Sequence, residues 1–490
     1  MDANVLLSLD RVKKELRKDD RSLKNRIASI LLDNQFLESE VIPMFPRYPV
    51  IPNERCGIWY CDPKKYEKTC YFKSTDGHTN QWNFSTRRLN FHLLPLLKDY
   101  PGIIIVDSTR RGKKMPDALS KTIPIWCAVL NHLMLKSKEN NIDYNNLLFT
   151  PNETVSLSER SSIIEKLPKL SEQLERLKIV DGKTMYNDFK GKLLRPIWIY
   201  PGSDILESSK DIFTGEKIAS EWFISQDSNF IPIILCTVSF QAQDGVEKRD
   251  GFTYHQGAGD DHELWSNGLE PDLFWAHIDQ FKQFQDSNEE IERLVDELVL
   301  KDKMNRHLNR DFSTIAQSVP NIEIITKEIQ LGVVIDGLLI TKQLTYNLID
   351  KFSQVIILSD TVTLQDDQLT DAKSLKIYKL RSGSKKSSKE LRIKLIEIDQ
   401  SIKPLLEQGS NLIKPILICC NTGEDMSIGV ILMLLSKYYT MDWQIAPKDQ
   451  TISISKSTIR QHLTQIISHL QGRNVNPSRA TLNSVNSYLM

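Results

Sequence analysis

The sequence predicts an α/β protein built from two domains. At 490 residues the chain exceeds the roughly 250 to 300 residues at which a single hydrophobic core stops growing. Short apolar runs alternate with stretches of helical texture, most regularly in the second half, which is typical of a compact α/β domain. We place the boundary near residue 313. This gives an α+β first domain at 1–312 and an α/β second domain at 313–490.

The first domain opens with a predicted basic amphipathic helix. Apolar residues recur at near-helical spacing between 5 and 38, and residues 11–26 contain eight Lys or Arg against three acids. Helical texture returns at 134–195 and 275–312, whereas the runs RPIWIYPGSD and FIPIILCTVSF predict core strands. Residues 45–130 are mostly short polar loops, and such loops commonly carry chemistry.

The second domain contains the apolar runs NIEIITKEIQLGVVIDG, FSQVIILSD, LKIYKLRSG and KPILICC, followed by the helix-like SIGVILMLLSKYY. Strands that alternate with helices predict a parallel sheet with covering helices. The low-complexity piece SGSKKSSK at 382–389 is interpreted as an exposed loop.

Composition narrows the class of protein. Lys plus Arg and Asp plus Glu are both 63, so affinity for a polyanion has to come from local patches. The seven cysteines are scattered without a CxxC pair, which favours reduced thiols over structural zinc. The first residues become charged before any apolar stretch long enough for a signal peptide. We therefore expect a cytoplasmic monomer that is not held in a membrane; a nuclear pool stays open.

The sharpest local signal is the basic loop GIIIVDSTRRGKKMPDALSK. An apolar run ends at Asp107, and residues 107–121 carry five Lys or Arg against two acids. Hydroxyls and backbone amides can hold a phosphate, arginines can bind it bidentately, and Asp107 can reach Mg²⁺. The alternative is an exposed basic turn after a core strand. The candidate donor-binding residues are Ser108, Thr109, Arg110, Arg111, Gly112, Lys113, Lys114 and Lys121.

A second signal is CNTGEDMSIGV, which lies between an apolar run and a helix-like stretch. Its spacing matches the cysteine phosphatase loop C-x-x-G-x-x-R-S, except that Met426 stands where the arginine belongs. Without that arginine, thiolate catalysis at Cys420 is not expected. A retained anion or RNA contact and a purely structural elbow both stay open. The phosphate-loop-like residues are Cys420, Asn421, Thr422, Gly423, Ser427 and Gly429.

A third signal is the acidic loop HQGAGDDHELW. Asp260 and Asp261 lie beside flexible glycines and can hold Mg²⁺ through waters or act as a general base; an ordinary acidic surface loop is the alternative. The polar loop STDGHTNQWNFSTRR adds further candidate substrate-binding residues, namely Asp76, His78, Arg87 and Arg88.

Taken together, five blocks resemble the initiator tRNA phosphoribosyltransferase family. They are NERCGIWY, STDGHTNQWNFSTRRLNFHLLP, IIIVDSTRRGKKMPDALSKTIPIWC, YHQGAGDDHELWSNGLEPDLFW and CNTGEDMSIGV, and the resemblance runs from about residue 20 to about residue 475. It implies an enzyme that uses phosphoribosyl pyrophosphate and Mg²⁺ to modify the 2′-OH of a T-stem adenosine, which keeps initiator tRNA out of elongation. It also implies that the second domain has a dual-specificity-phosphatase-like fold.

For that reaction we assign roles by chemistry. Asp107, Asp260 and Asp261 are the candidates for metal ligand or base, and a nearby carboxylate can stabilise an oxocarbenium-like transition state. Residues 373–394 carry nine Lys or Arg against one acid. The candidate RNA-binding residues are Lys13, Lys14, Arg17, Lys18, Lys385, Lys386 and Lys389. Two rival functions stay open: an inactive, phosphatase-like RNA-binding scaffold, and a phosphatase acting on RNA or phosphoinositide.

Overall fold

The structure is a computed structural model of the whole chain. It describes residues 22–73, 82–86, 88–136, 138, 142–177, 179–211, 213–214, 216, 221–222, 228–284, 287–306, 310–311, 314–366, 374–408, 412–447, 452–470 and 473–490. The predicted RNA-binding residues Lys13, Lys14, Arg17 and Lys18 lie outside the described residues.

The chain divides into two compact units. The first contains residues 1–85 and 93–300, and the second contains residues 86–92 and 301–490. The short segment 86–92 therefore belongs with the second half of the chain, although it lies far from that half in sequence.

The first unit is built on a parallel four-stranded sheet with the strand order β1-β2-β4-β3. Its strands are β1 (Val50–Pro52), β2 (Ile103–Asp107), β3 (Leu193–Ile199) and β4 (Phe230–Thr237). The central strands β2 and β4 are almost continuously apolar and buried, as expected for parallel strands covered on both faces. An antiparallel hairpin, β5 (Val246–Arg249) and β6 (Phe252–His255), follows.

A side-chain amide pairs with the backbone at the outer edge of β3. The Asn131 amide donates to the Leu194 carbonyl at 2.9 Å and accepts from the Leu194 N–H at 2.8 Å. Pro196 has no N–H to offer a further strand. Both features limit edge-to-edge pairing of the sheet.

Helices pack around this sheet. Several of them lie in segments that the sequence predicts to be helical. The α-helices of the first unit are α1 (Leu23–Phe36), α2 (Ile42–Met44), α3 (Leu94–Asp99), α4 (Ile123–Lys136), α5 (Leu157–Glu175), α6 (Gly182–Asp188), α7 (Asp204–Glu207), α8 (Pro271–Ala276), α9 (Ile278–Gln283) and α10 (Asn288–Arg306), which continues into the second unit. Shorter 3₁₀ turns lie at Gly57–Trp59, Pro63–Lys65, Phe91–Leu93, Tyr144–Asn146 and His262–Leu264, and π-helical turns at Leu37–Val41 and Ala118–Thr122.

One stretch, Ala118–Lys136, is long and apolar enough to cross a membrane, with a mean hydropathy of 1.2. However, 72% of it is buried inside the protein. Its apolar character therefore has a structural explanation, because it packs in the core of the first unit.

The second unit contains a five-stranded sheet with the order β13-β11-β14-β9-β8, in which only β8 is antiparallel to its neighbour. A smaller parallel sheet has the order β12-β10-β7. The strands are β7 (Arg310–Asp311), β8 (Asn321–Ile324), β9 (Ile329–Val333), β10 (Leu338–Ile340), β11 (Gln354–Leu358), β12 (Thr363–Leu364), β13 (Leu375–Tyr378) and β14 (Ile416–Cys420). The helices are α11 (Ile315–Ser318), α12 (Lys342–Lys351), α13 (Lys385–Leu406), α14 (Met426–Tyr438), α15 (Lys456–His469) and α16 (Arg479–Leu489).

The mixed α/β class is confirmed, but one local prediction is wrong. Most of the SGSKKSSK segment is the first turn of α13 instead of a loop. Ser384 caps this helix by accepting from the Ser387 N–H, and Leu391, Leu395 and Ile398 bury one helical face. The three lysines of the segment consequently stand on a helix N-terminus.

Candidate functional site

The loops that follow the strands of the first sheet meet at its carboxyl edge. β1 continues into Asn53 and Arg55, β2 ends at Asp107, and β4 continues into Ser239. Because these strands are parallel, their carboxyl ends lie side by side, and this is where open α/β sheets bind ligands. The fold therefore brings the predicted basic loop to a position suited to binding.

Arg55 joins the two predicted carboxylates. Its Nε lies 3.4 Å from Asp107 Oδ2, and its Nη1 lies 3.1 Å from Asp260 Oδ1. Burial opposes the charge on Arg55, but the carboxylates of Asp107 and Asp260 more than offset this and raise the pKa of its guanidinium. One partly buried cation thus connects two loops whose acids, Asp107 and Asp260, lie about half of the first unit apart in sequence.

Asp107 does not fit the predicted role of metal ligand or base. It is fully buried, and its two oxygens accept from Asn53 Nδ2 at 2.9 Å, Cys56 Sγ at 3.0 Å and the Ser108 N–H at 2.8 Å, besides Arg55. Its lone pairs are therefore occupied by protein donors. Asp107 positions Arg55 and the start of the basic loop, and burial raises the pKa of its partner Cys56 so that the thiol stays protonated.

Asp260 has a different environment. It is 7% exposed, and besides Arg55 it faces Arg110, whose Nε is 3.7 Å from Oδ2. Burial raises the pKa of Asp260, while Arg55 and Arg110 act in the opposite direction. Its neighbour Asp261 has φ of 49°, is largely exposed and forms an ion pair with Arg110. Asp260 is therefore the better candidate for a base, because its oxygens keep free lone pairs.

A glutamine clamp shapes the basic loop. Gln256 Oε1 accepts from the Gly112 N–H at 2.7 Å, and Gln256 Nε2 donates to the Lys113 carbonyl at 2.7 Å. Gln241 Nε2 donates to the Gly112 carbonyl at 2.7 Å. A Cβ on Gly112 would lie 2.5 Å from the Gln243 carbonyl oxygen, and its φ is 73°, so glycine is required there. Hydrogen bonds from Gln256 thus connect the acidic loop to the basic loop.

Arg111 stands apart from the other cations of this loop. It is exposed, it has φ of 59°, and within the described residues its guanidinium has no hydrogen bond or ion pair. A left-handed arginine is strained by about 1 kcal/mol or more, and such strain concentrates at functional sites. Arg111 is therefore available to an incoming anion.

The predicted lysines are less available. Lys114 forms an ion pair with Glu153, and Lys121 with Glu159 at 2.9 Å and Asp117 at 3.3 Å. Lys113 Nζ lies 4.0 Å from Asp117. A phosphate would have to displace these carboxylates before it could bind the lysines.

The predicted hydroxyl contacts are buried beneath the loop. Ser108 and Thr109 are at most 1% exposed, and the Thr109 N–H donates to Ser239 Oγ at 3.1 Å. Gly257 packs against Thr109, since a Cβ there would lie 2.7 Å from the Thr109 carbonyl oxygen. These residues therefore support the loop from below, and their hydroxyl oxygens are buried without a hydrogen-bond partner among the described residues.

The polar loop before the basic loop gives little information. Asp76, His78 and Arg87 lie outside the described residues. Arg88 belongs to the second unit, where its Nε donates to Asn476 Oδ1 at 2.9 Å. Its assignment to the donor site of the first unit has no support in this structure.

The described residues do not form a protein-held Mg²⁺ site. Among them no group of three or more His, Cys, Asp or Glu side chains is placed to hold a metal ion. Asp107 is saturated, and Asp260 is neutralised by two arginines. The predicted metal role of Asp107, Asp260 and Asp261 therefore lacks a fitting ligand set.

The cysteine loop of the second unit keeps the phosphatase-like geometry. Cys420 ends β14, its sulfur accepts from the Gly423 N–H at 3.1 Å, and it lies 3.0 Å from Ser427 Oγ. Burial opposes ionisation, but hydrogen bonds from Ser427, Thr422 and Ser382 lower the pKa of the Cys420 thiol. The loop thus stabilises a buried sulfur as in a catalytic cysteine loop.

Other residues of this loop contact protein groups. Met426 is fully buried, so the position expected to hold an arginine faces the core. Asp425 accepts from the Ser478 N–H at 2.9 Å and from Thr481 Oγ1 at 2.6 Å. Gly429 is not part of the cradle: its N–H bonds to the Asp425 carbonyl, and it packs against Thr481.

Several residues that the sequence analysis did not select help to assemble the site. Arg55, Asn53, Gln241 and Gln256 each bind a residue that was selected. Arg55 lies in the block NERCGIWY, so its presence in a motif was a usable signal. The partners of Gln241 and Gln256 were not predictable from spacing.

Comparisons with known proteins agree with this architecture. Residues 16–300 match a family model described as the Rit1 N-terminal domain, and residues 374–489 match the Rit1 DUSP-like domain. The chain is 53% identical over 496 residues to the tRNA A64-2′-O-ribosylphosphate transferase of Saccharomyces cerevisiae, covering 100% of this chain and 96% of that protein. It is 32% identical over 479 residues to an uncharacterized protein of Schizosaccharomyces pombe, covering 96% and 94% respectively. The chain therefore belongs to the Rit1 family.

Proposed function

We propose that this protein is a tRNA A64 2′-O-ribosylphosphate transferase that acts on initiator tRNA. Its donor is phosphoribosyl pyrophosphate, and the added anionic group keeps the initiator out of elongation. The full-length similarity to the yeast transferase supports the activity. The observation that carries the assignment of the site is Arg111, which has no partner among the described residues, beside the Arg55, Asp260 and Arg110 cluster at the carboxyl edge of the first sheet.

The donor phosphates bind to the basic loop. Arg111 is free to bind an anion, and Arg110 can exchange its exposed partner Asp261 for a phosphate. Charged hydrogen bonds of arginine to phosphate are among the stronger ones in proteins and fix the orientation of the donor. Arg55 stays with Asp260 and acts through it as a positioning residue.

The transfer is a substitution at the anomeric carbon. The 2′-oxygen of the acceptor forms a bond to that carbon, and the bond to pyrophosphate breaks, with its electron pair leaving on pyrophosphate. The hydroxyl proton passes to Asp260, which acts as the general base. The scheme uses no metal ion that is held by protein side chains. We propose that Mg²⁺ enters bound to the donor.

The second unit contributes an RNA-binding surface. The N-terminus of α13 presents three exposed lysines, Lys385, Lys386 and Lys389. The first turn of this helix contains no acidic residue. Cations at a helix N-terminus are unfavourable because the helix dipole is positive there. An anionic partner removes that penalty, and phosphate groups of the RNA backbone are suitable anions.

The alternatives are an inactive RNA-binding scaffold and a phosphatase. The lowered pKa of the Cys420 thiol is the feature that favours a phosphatase, whereas the buried Met426 leaves the loop without its phosphate-binding arginine. We favour the transferase because Arg111, which has no partner among the described residues, lies in the first unit.

One assay separates the three functions. The full chain is incubated with phosphoribosyl pyrophosphate labelled in the ribose, Mg²⁺ and total tRNA, and label is sought in purified initiator tRNA. A transferase labels this tRNA at a single adenosine. Binding of tRNA without label identifies a scaffold, and release of inorganic phosphate from RNA or phosphoinositide identifies a phosphatase.

A further inference from the structure

A cavity lies along the edge strand β3, beside the donor loop. Its volume is about 780 Å³, within the range of pockets that hold a nucleotide-sized ligand. Its lining includes Met115, Phe149, Trp198 and Tyr200. Nothing in the proposed donor site uses this mostly apolar space.

An unpaired arginine lies in the cavity wall. The Arg195 guanidinium stacks on the Phe149 ring, with its carbon 3.4 Å from the ring centroid. Within the described part of the chain it has no carboxylate partner or hydrogen bond, and burial lowers its pKa. A half-buried cation left on an aromatic face is suited to a ligand that combines a flat ring with an anion.

The mouth of the cavity reaches the donor loop. Lys114 of that loop contacts two lining residues, forming an ion pair with Glu153 and lying 4.3 Å from the Tyr200 ring centroid. A ligand whose base is inside the cavity would therefore present its sugar near the basic loop.

The donor itself is a poor occupant for this cavity. Phosphoribosyl pyrophosphate is polar over its whole surface and has no flat apolar face, whereas the cavity surface is mostly apolar and its lining includes the carboxylates Glu153 and Asp204. The amides of Asn152 and Asn229 also line the cavity and have no protein partner among the described residues. An asparagine amide offers the donor and acceptor pair that matches an adenine edge.

We propose that this cavity receives the base of the acceptor adenosine, which leaves the helical stack of the tRNA before transfer. Phe149 and Tyr200 provide stacking surfaces, and Arg195 binds an adjacent phosphate. This inference rests on the proposed function for the identity of the acceptor. It explains how one adenosine in a duplex stem is selected, because a stacked base offers little of its edge for recognition.

Binding of 5′-AMP to the full chain tests the cavity without requiring transfer. By calorimetry the wild type should bind AMP, and ribose 5-phosphate and adenosine should each bind at least about 10-fold more weakly. Phe149→Leu keeps apolar volume but removes the ring, and Arg195→Gln removes the charge; each should weaken AMP binding by about 10-fold. Arg176→Gln, at an exposed helical ion pair, is the matched control and should bind AMP like the wild type.

Removal of the base from the stack is tested with initiator tRNA that carries 2-aminopurine at the acceptor position. Its fluorescence should change when the wild-type complex forms, and Phe149→Leu and Arg195→Gln should reduce this change. The proposal would be overturned if the wild type does not bind AMP, or if both variants bind AMP as tightly as the wild type does. A 2-aminopurine signal that does not change when the complex forms would also overturn it. A wild type that binds AMP in this way but transfers no label would instead reject the proposed function and leave the cavity assignment standing.

Discussion

The two units contain the same type of potential site, a polar loop at the carboxyl edge of a parallel sheet, but the loops differ in which charges are free. In the first unit buried Asp107 and Asp260 are balanced by Arg55, and the exposed Arg111 has no hydrogen bond or ion pair with any described residue. In the second unit the Cys420 sulfur is bound by the loop itself, and Met426 is buried. Phosphate-loop geometry alone is therefore not enough for phosphate chemistry, which also needs a cation that the protein has not already used.

The largest effect is expected at the free cations of the first loop. Arg110→Ala combined with Arg111→Ala should reduce transfer by about 10³-fold or abolish it, since each hydrogen bond to a charged group contributes about 1.5 to 3 kcal/mol. The measurement is incorporation of labelled donor into initiator tRNA. Arg111→Ala alone should leave the thermal unfolding midpoint unchanged, because its guanidinium has no partner among the described residues. Near-normal transfer by a folded double variant would move the donor site elsewhere.

Asp260→Asn should lower kcat/KM by about 10² to 10³-fold, in the range for loss of general-base catalysis. The base works only when ionised, and burial raises the pKa of Asp260. Activity should consequently fall on the acid side at a pH above the ordinary range of an aspartate. A pH profile of kcat/KM measures this limb, which Asp260→Asn should remove. An unaltered limb in a folded, active variant would exclude Asp260 as the base.

Arg55→Ala should destabilise the first unit by about 3 kcal/mol, because it leaves two buried carboxylates without their shared cation. Urea unfolding measures the loss, and Arg55→Lys should restore part of the stability. Arg176→Ala serves as the surface control and should change the unfolding free energy by less than about 0.5 kcal/mol. Equal stabilities of Arg55→Ala and the control would show that Asp107 and Asp260 do not depend on Arg55.

The basic N-terminus of α13 is expected to act on affinity and not on chemistry. If about six phosphates are neutralised in the complex, log K should fall with log salt at a slope of roughly −4 to −5. Replacing Lys385, Lys386 and Lys389 with Ala should flatten that slope by about 2 to 3 units and weaken initiator and elongator tRNA alike. An unchanged slope would restrict the RNA surface to other parts of the chain.

The smallest effect is expected at the cysteine loop. Cys420→Ser should retain transfer within about 3-fold, because the loop lacks the arginine that makes such a thiolate useful. The same transfer assay measures this, with circular dichroism to check folding. Trapping of a covalent phosphocysteine would overturn this expectation and would show that the second unit is catalytic.

The sequence by itself determined the elements and the motifs. The apolar β-branched run before Asp107 predicts a buried strand, and the spacing of Cys420, Gly423 and Ser427 predicts a phosphatase-like loop, because both signals are local. Local signals also misled at 382–389, where the lysines and serines indicated a loop although the apolar spacing beyond them continues a helix.

Tertiary structure alone decided which charges are available. Asp107 and Asp260 are both acids near glycine-rich loops, yet one is saturated by Asn53, Cys56 and its own loop, whereas the other keeps free lone pairs. Arg110 and Arg111 are adjacent in sequence, yet only Arg110 has a carboxylate partner. Apart from the adjacent Ser108 N–H, these partners come from residues more than fifty positions away, and the carboxyl edge of a parallel sheet brings them together only after the chain has folded.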